Sequence, residues 1–215
     1  LKIYSKYIIK KNLTIFSFIL KFKFLLNLIE LPQWAILKHL KFDTFLDIGS
    51  NVGVWSYFLQ NNTNKIYIFD PIPSCINICK KIIKKKNMKT YNFALGNINM
   101  KKNLFIPFND SSRANLIKGD SYYFKKKVFI KKGDLILKKK KGIDLIKIDV
   151  EGYELEVLRG GTLTLNKTNK ILIEILEEFN HNLEQTSHII FEFLKEKNFR
   201  VLKDLGNGNV LFERY

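Results

Sequence analysis

Three aspartates stand at the ends of short apolar runs, which are positions where an α/β sheet carries its binding and catalytic groups. Asp47 and Asp149 are each followed within three residues by a glycine, and Asp70 is followed by Pro71. Because the carboxyl ends of parallel strands lie along one edge of a sheet, these carboxylates are expected to converge on one crevice. Clustered carboxylates repel one another unless a cationic group separates them. The spacing therefore predicts a crevice for a positively charged ligand.

The turn after the first apolar run has the pattern Asp-x-Gly-x-x-x-Gly. Glycine lets the backbone adopt unusual angles and lets a ligand approach closely. A turn that binds pyrophosphate avoids a carboxylate, because two anions repel, whereas S-adenosylmethionine carries a sulfonium and an ammonium group and suits an acid. The predicted cofactor contacts in this turn are Asp47, Gly49, Ser50, Asn51 and Gly53. An ordinary strand–helix turn capped by Ser50 or Asn51 is the structural alternative.

Further cofactor contacts are expected on the next two strands. Asp70 follows the glycine turn by about twenty residues, where nucleoside-binding α/β folds place a carboxylate for the ribose hydroxyls. Capping of the next helix is the alternative role for this acid. The backbone of Ala94 and Leu95, just before Gly96, is expected to meet the adenine edge, and a plain turn would have the same sequence.

A cluster of acids follows the fourth strand. Asp149 is the expected base for removing the proton of a hydroxyl nucleophile, with Glu151 close by and Glu174 on the next strand as its partner. The helix dipole favours acids in a first turn and explains Glu154. It does not explain Asp149, which ends an apolar strand. A divalent ion shared by these carboxylates is left open, and no residue is assigned as a metal ligand.

The run Lys147–Gly161 (KIDVEGYELEVLRGG) resembles the signature of FkbM-family methyltransferases, which are class I S-adenosylmethionine-dependent enzymes. Phe45–Gly53 and Phe69–Pro71 resemble the cofactor motifs of that family in order and spacing. One departure is Asp70, where the family more often has Glu before Pro. The resemblance covers residues 42–213. It implies a Rossmann-like seven-stranded sheet and, by analogy with relatives, methylation of hydroxyl groups on small molecules or sugars.

Strand-like and helix-like segments alternate from Thr44 onward, which is typical of βαβ units. Strands are predicted at 44–48, 65–69, 89–94, 143–148, 170–176, 200–204 and 209–213, and helices at 52–61, 73–86, 153–159 and 185–197. The Asn-Gly pair at 207–208 predicts a hairpin. We therefore predict an α/β fold with a mostly parallel sheet, an antiparallel last strand and helices on both faces.

An insertion at residues 98–135 breaks this alternation, and insertions of this kind commonly carry function. Short strand-like pieces are expected within it at Leu104–Phe108 and Val128–Lys131. Ser111, Ser112 and Arg113 lie in its polar loop and are candidate substrate contacts. A plain polar turn is the alternative for these three residues.

Residues 1–40 form an apolar and basic extension before a methyltransferase domain at residues 41–215. The apolar run Leu13–Leu20 is shorter than the about 20 residues of a membrane-spanning helix. No small-residue cleavage site follows it, so a signal peptide is not expected either. Two alternatives remain open, a helical cap on the domain and a basic amphipathic helix within residues 1–30 that lies on a membrane surface.

The net charge of +17 raises nucleic acid and anionic membranes as partners. The lysines are scattered through every segment, and no arginine-rich arm or RNA-binding aromatic motif accompanies them, so no nucleic acid partner is expected. A hydrophobic content of 46% and a charged content of 27% exclude a disordered chain. Cys75 and Cys79 are expected to be reduced thiols, which fits a cytoplasmic protein, with peripheral membrane contact as the variant of that localisation.

The expected function is S-adenosylmethionine-dependent methylation of a hydroxyl on a small molecule or glycan. The alternative is a non-catalytic basic binding protein that uses a methyltransferase fold to contact nucleic acid or an anionic membrane surface. The identity of the methyl acceptor and the oligomeric state stay open at this level.

Overall fold

The computed structural model describes residues 32–107, 114–116, 123–138, 141–175 and 183–215. The predicted substrate contacts Ser111, Ser112 and Arg113, and most of the N-terminal extension, lie outside these residues. The helices are α1 Pro32–Leu37, α2 Val54–Leu59, α3 Pro73–Ile82, α4 Gly133–Leu137, α5 Glu154–Gly160, α6 Thr162–Leu165 and α7 Leu183–Glu196. The strands are β1 Phe42–Ile48, β2 Thr63–Phe69, β3 Met88–Tyr91, β4 Ala94–Gly96, β5 Met100–Pro107, β6 Tyr123–Lys132, β7 Ile143–Ile148, β8 Thr168–Glu174, β9 Phe199–Asp204 and β10 Asn209–Arg214.

Seven strands form the main sheet in the order β3-β2-β1-β7-β8-β10-β9. Strand β10 runs antiparallel to both of its neighbours, and the other pairs that join β3, β2, β1, β7 and β8 are parallel. The turn that joins β9 to β10 contains Asn207, which has a positive φ of 51°. The predicted mostly parallel sheet with an antiparallel last strand is therefore confirmed.

Helices cover both faces of the main sheet, because its central strands are apolar on both sides. Phe45 of β1 faces a core that includes Leu37 of α1, Leu59 of α2 and Ile76 of α3. Residues from the opposite faces of the same strands pack on the second group of helices, with core members Leu46, Ile148, Leu137, Val157, Leu165, Ile190 and Leu194. Because successive side chains of a strand point to opposite faces, one sheet contributes to two separate cores.

Strand β4 leaves the main sheet, which the sequence did not indicate. The single strand predicted at 89–94 is divided in two, because Asn92 turns its side-chain amide to the Asp70 carbonyl at 3.0 Å. Strand β4 then pairs in parallel with β6, and β6 pairs with β5 in antiparallel fashion over the whole length of β5. The strand-like pieces expected in the insertion are thus parts of one long ribbon.

This second sheet, β4-β6-β5, rests on α5 through two glycines. A Cβ atom built on Gly160 would lie 1.8 Å from the carbonyl oxygen of Gly96, so the two backbones are in direct contact. On the other edge, Asn115 forms two backbone hydrogen bonds with Phe105 of β5, at 2.8 and 3.0 Å. The second sheet thereby holds the segment 114–116 against the end of the main sheet.

Two of the differences from the sequence prediction, one helix end and one unpredicted helix, have identifiable reasons. Helix α3 ends at Ile82 because Ile83 is extended, with φ −91° and ψ 119°, so the three lysines that follow lie beyond the helix. Helix α6 was not predicted. The N–H groups at its start donate to Asp134 at 2.7 and 2.9 Å, and because Asp134 is about thirty residues away in the chain, no local capping residue indicated the helix. No helix in the described ranges has the length and apolar character that crossing a bilayer requires.

Candidate active site

A pocket of about 430 Å³ opens at the carboxyl edge of the main sheet. It lies beyond the ends of β1, β2, β7 and β8, and the second sheet closes one side. Its lining combines the predicted turn, the predicted acids and an apolar wall: Ile48, Gly49, Asn51, Phe69, Asp70, Pro71, Ile72, Cys75, Phe93, Ala94, Leu95, Leu104, Ala114, Asn115, Leu116, Asp149, Val150, Glu151, Tyr153 and Glu174. The structure therefore brings Gly49, Asn51, Asp70, Ala94, Leu95, Asp149, Glu151 and Glu174 into one site.

The turn after β1 depends on a glycine that nothing larger can replace. Gly49 has a φ of 72°, and a Cβ atom on it would lie 1.8 Å from the carbonyl oxygen of Asp149. Asn51 also has a positive φ, 49°, and its backbone N–H donates to Asp70 Oδ2 at 2.8 Å. The turn is thus bonded to the end of β2 and packed against the end of β7.

Asp47 lies beneath this turn, and the structure does not bring this predicted cofactor contact to the pocket. Its side chain is fully buried and does not line the pocket. Asp47 Oδ2 accepts hydrogen bonds from the Ser56 backbone N–H at 3.2 Å and hydroxyl at 2.5 Å. Burial raises the pKa of Asp47, and Lys147, whose Nζ is 3.8 Å from Oδ1, opposes that rise.

Ser50 and Gly53 also shape the turn without lining the pocket. The Ser50 hydroxyl is buried, 3.5 Å from the carbonyl oxygen of Asn51. Gly53 has a φ of 79° and is the N-cap of α2, where a Cβ atom would lie 2.7 Å from Cys79 Sγ. No side chain caps α2, so the capping alternative for Ser50 and Asn51 does not hold.

Asp70 sits at the end of β2 with both carboxylate oxygens turned to backbone donors. Oδ2 accepts from Asn51 N–H and Oδ1 from Ile72 N–H, each at 2.8 Å. Burial raises the pKa of Asp70 to about 7, against the lowering effect of these two hydrogen bonds. The N-cap of α3 is Ile72, so Asp70 does not cap that helix. Each oxygen keeps a lone pair for a ligand hydroxyl.

Cys75 lines the pocket beside this carboxylate. Its thiol donates to Asn51 Oδ1 at 3.7 Å, and both Cys75 and Cys79 are free and buried, as predicted. Burial raises the pKa of both thiols, which keeps them protonated and poorly nucleophilic. The thiols therefore serve here as small packing groups.

The acid end of the pocket is formed by β7 and β8. Ile148 and Ile173 are paired in register, so Asp149 and Glu174 follow at neighbouring strand ends. Burial raises the pKa of half-buried Glu174 to about 7, and the negative charge of Asp149 adds to the rise. Glu151 also lines the pocket, with a left-handed backbone at φ 57°. Backbone strain of this kind concentrates at functional sites.

Glu154 holds the turn that carries these acids. Its Oε1 accepts the backbone N–H groups of Val150 and Gly152 at 3.2 and 3.0 Å. The side chain is buried, and burial raises its pKa. Glu154 therefore fixes the loop geometry rather than facing a ligand.

Three site residues were not found from the sequence. Lys147 of β7 is buried, and its Nζ lies 2.9 Å from Asp149 Oδ2 and 2.9 Å from the Gly49 carbonyl oxygen. A lysine inside an otherwise apolar strand was the available signal. Asn115 and Tyr153 are buried and line the pocket. No local sequence pattern indicated these two residues. Asn115 reaches the pocket because the second sheet carries it there, and Tyr153 stands at the start of a helix.

Metal binding has no separate support in the part of the chain that the structure describes. No group of three or more His, Cys, Asp or Glu side chains there has the arrangement of a metal site. The acids at the ends of β7 and β8 lie instead near the ammonium group of Lys147.

The sheet order and the pocket at its carboxyl edge define a Rossmann-like fold of the methyltransferase type. The sequence profile of the methyltransferase FkbM domain matches residues 47–201. The chain therefore belongs to the FkbM methyltransferase family, as the resemblance of its motifs predicted. Comparison with curated proteins gives no match.

Solved structures support the same fold at low sequence identity. Methyltransferase FkbM from Methylobacillus flagellatus KT is 14% identical with a TM-score of 0.54, over 83% of this chain and 45% of that protein. The chain thus spans less than half of the length of that relative. Magnesium protoporphyrin IX methyltransferase from Synechocystis PCC 6803, with bound S-adenosylmethionine, is 9% identical with a TM-score of 0.51, over 86% of this chain and 76% of that one. Precorrin 8W decarboxylase from Methanobacterium thermoautotrophicum is 16% identical with a TM-score of 0.51, over 87% and 90%.

Proposed function

We propose that the chain is an S-adenosylmethionine-dependent methyltransferase that transfers a methyl group to a hydroxyl of a small molecule or glycan. One observation carries the proposal: a single pocket joins a glycine turn and a ribose-type acid at one end to a pair of carboxyls at the other. Membership of the FkbM family supports methyl transfer. The choice of oxygen as the acceptor atom rests on the carboxyls.

The residues of the pocket fit S-adenosylmethionine in size and in chemistry. A volume of about 430 Å³ is within the range of about 300–1,000 Å³ that is usual for small-molecule sites. Asp70 would accept the ribose hydroxyls, and the walls at Ile72, Ala94 and Leu95 would take the adenine ring. The acids at the far end would face the cationic part. When bound, this cofactor supplies the methyl group and a sulfonium leaving group.

A hydroxyl acceptor needs a base, since its oxygen is a weak nucleophile while it holds its proton. The acid end of the pocket offers Asp149 and Glu174, and the raised pKa of Glu174, about 7, lies in the range where a carboxyl can both take and release a proton at neutral pH. Glu151 lines the same end. Ser111, Ser112 and Arg113 stay predicted substrate contacts, close in sequence to pocket residue Asn115.

Calorimetric titration with S-adenosylhomocysteine is the first test of this proposal. Saturable binding that Asp70→Ala weakens is the expected result. Methyl transfer from labelled S-adenosylmethionine is then measured against sugars, hydroxylated small molecules, RNA and amine compounds. Absence of any binding heat would overturn the enzyme assignment, and transfer to amines alone would overturn the assignment of oxygen.

One feature favours a second candidate, the basic binding protein. Lys101, Lys125 and Lys127 lie exposed on the β5–β6 ribbon beside Phe129, which is 52% exposed and lies 4.8 Å below the ammonium of Lys101. Cationic side chains around an aromatic ring suit an anionic partner. Binding of RNA or anionic vesicles by a chain that shows no heat with S-adenosylhomocysteine would favour this candidate over the enzyme.

A further inference from the structure

Lys147 is a buried cation at the junction of the two ends of the pocket. Only 5% of its side chain is exposed, and its ammonium faces Asp149 Oδ2 at 2.9 Å, the Gly49 carbonyl oxygen at 2.9 Å and Asp47 Oδ1 at 3.8 Å. An ammonium has three donors. Asp149 Oδ2 and the Gly49 carbonyl oxygen lie within hydrogen-bond distance of it, whereas Asp47 Oδ1 is buried at 3.8 Å without a hydrogen bond. Burial opposes the charge of Lys147, but Asp149 and Asp47 hold its pKa above the ordinary value.

The two carboxyls at the acid end have unequal access to this cation. Asp149 follows Lys147 by two residues on β7, so the two side chains share a face and form a direct ion pair. Glu174 lies on the neighbouring strand. Charged and titratable groups around Glu174 include Asp149, Lys147 and Glu154, and Glu151 lines the same end of the pocket. Lys147 lowers the pKa of Glu174 less than burial and Asp149 raise it.

The charges do not balance if every acid is ionised. Lys147 contributes one positive charge, and Asp47, Asp149 and Glu174 would contribute three negative charges. Asp47 and Lys147 are buried, whereas Asp149, with 29% of its side chain exposed, and half-buried Glu174 line the pocket. A proton on one carboxyl relieves the repulsion, and the direct ion pair of Lys147 is with Asp149.

We propose that Lys147 is a positioning residue that divides the work of the two carboxyls: it fixes Asp149 in a direct ion pair, and it leaves Glu174 to take and release the proton. This inference rests on the proposed methyltransferase function. It moves the role of base from Asp149, the residue favoured on sequence, to Glu174. When their surroundings give two neighbouring acids different pKa values, one site can hold both a fixed charge and a base, and this arrangement is common.

The proton balance of the step follows from this division. Glu174, as a carboxylate, takes the proton of the acceptor hydroxyl while the oxygen forms its bond to the methyl carbon. The carbon–sulfur bond breaks, and its electron pair stays on sulfur, which becomes a neutral thioether. Glu174 then releases the proton to solvent. Asp149 stays bonded to Lys147 throughout.

Carbon-13 NMR of the protein labelled at the Asp and Glu carboxyl carbons tests the division without any acceptor. The wild type is expected to show two carboxyls that titrate near pH 7, an Asp signal from Asp70 and a Glu signal from Glu174. The Glu signal should disappear in Glu174→Gln and persist in Asp149→Asn, and the Asp70 signal should persist in both. The reverse pattern, loss in Asp149→Asn and persistence in Glu174→Gln, would overturn the proposal.

The role of Lys147 is tested with Lys147→Met, Lys147→Arg and a matched control. Lys147→Met should bring one further carboxyl, besides Asp70 and Glu174, into the near-neutral range, with a shift of more than one pH unit. Lys147→Arg should prevent this because it keeps the charge. Lys65→Met removes a lysine from an exposed pair with Asp43, at 2.8 Å, and should leave the near-neutral titration unchanged. An unchanged carboxyl titration in folded Lys147→Met would overturn the positioning role. If that variant does not fold, Lys147→Arg and the two carboxyl variants still decide the assignment.

The same samples separate this inference from the proposed function. Titration with S-adenosylhomocysteine reports whether the pocket binds the cofactor product, and the carboxyl signals report how the charge is divided. Absent binding together with a Glu174 signal near pH 7 contradicts the proposed function. Normal binding with Glu174 already ionised at pH 5 contradicts the inference alone.

Discussion

The two ends of the pocket are held by different kinds of interaction. At the cofactor end, both oxygens of Asp70 are bonded to main-chain N–H groups of Asn51 and Ile72. At the acid end, Asp149 is held by the side chain of Lys147, and Glu174 stands next to it with the repulsion incompletely relieved. A site held by the main chain has its geometry set before any ligand arrives. A site held by opposed side-chain charges responds to pH and to a cationic ligand.

Under the proposed function, this contrast divides the site by task. The end with Asp70 would bind the same cofactor in every turnover, which main-chain donors do without dependence on side-chain rotamers. The acid end would change its protonation during the proposed reaction, so a carboxyl near its titration point is useful there. Four substitutions test the contrast, in order of decreasing effect.

Gly49→Ala should have the largest effect, because it disrupts the backbone contact that joins the two ends of the pocket. The new Cβ would overlap the Asp149 carbonyl oxygen at a φ of 72°, and we expect a loss of about 3 kcal/mol or more in the free energy of unfolding. Urea unfolding measures it. Gly206→Ala is the matched control, since Gly206 has a φ of 75° but no atom within 4 Å, and should cost about 1 kcal/mol. Equal losses in the two variants would contradict the close contact.

Asp47→Asn should weaken the buried support under both ends. It removes one of the two carboxylates that face Lys147, and we expect the free energy of unfolding to fall by about 2–3 kcal/mol, less than for a fully stranded charge because Asp149 remains. Asp43→Asn, in an exposed pair with Lys65, is the control and should leave the urea midpoint unchanged. A midpoint for Asp47→Asn equal to that of the control would refute this role.

Asp70→Ala should affect binding more than folding. The variant removes the predicted ribose acceptor, and we expect cofactor affinity to fall by about 1–3 kcal/mol, measured by calorimetry. Asp134→Ala removes an acid that, like Asp70, accepts two main-chain hydrogen bonds, here from Leu163 and Thr164, and that does not line the pocket. The hydroxyls of Thr162 and Thr164 also donate to it. Asp134→Ala should lower stability and leave affinity unchanged, and equal affinity losses would remove Asp70 from the ribose role.

Glu174→Gln should have the smallest effect, a change in the pH dependence of stability. The native pKa of about 7 is above the ordinary value of 4.5, so the native state holds a proton that the unfolded chain releases. This contribution to stability is complete below about pH 4.5, declines as pH rises toward 7 and is absent above that range. Unfolding measured at pH 5 and pH 8 should show a smaller decline in Glu174→Gln than in the wild type. Glu156→Gln, on helix α5 away from the pocket, should keep the wild-type decline.

Local sequence patterns were enough to predict the main sheet and the approach of several acidic side chains at one edge of it. Apolar runs of strand length, the Asn-Gly hairpin and helix signals gave the main sheet, and parallel strand ends brought Asp70, Asp149 and Glu174 to one pocket. The motif resemblance identified the family. These features depend on short stretches of sequence and on rules of α/β topology.

Features that depend on contacts between distant segments were not predictable in this way. The sequence pattern of an acid before a glycine turn is the same whether the carboxylate faces the pocket or the core. The contacts with Ser56 and Lys147 are what orient the Asp47 side chain inward. Strand β4 gave no sign that it would leave the main sheet for β6. Lys147 looked like one lysine among many in a chain with 37 lysines and arginines.

The second sheet has a consequence for how this pocket can diversify. It rests on the rest of the protein through the backbones of Gly96 and Gly160 and contributes Leu104 and Asn115 to the pocket wall. None of the bonds that fix Asp70 or the ion pair of Lys147 passes through it. Strand β4, which carries the pocket residues Ala94 and Leu95, pairs with β6. A change in the second sheet that keeps this pairing can therefore alter the pocket wall at Leu104 while the bonds of Asp70 and the ion pair of Lys147 stay in place.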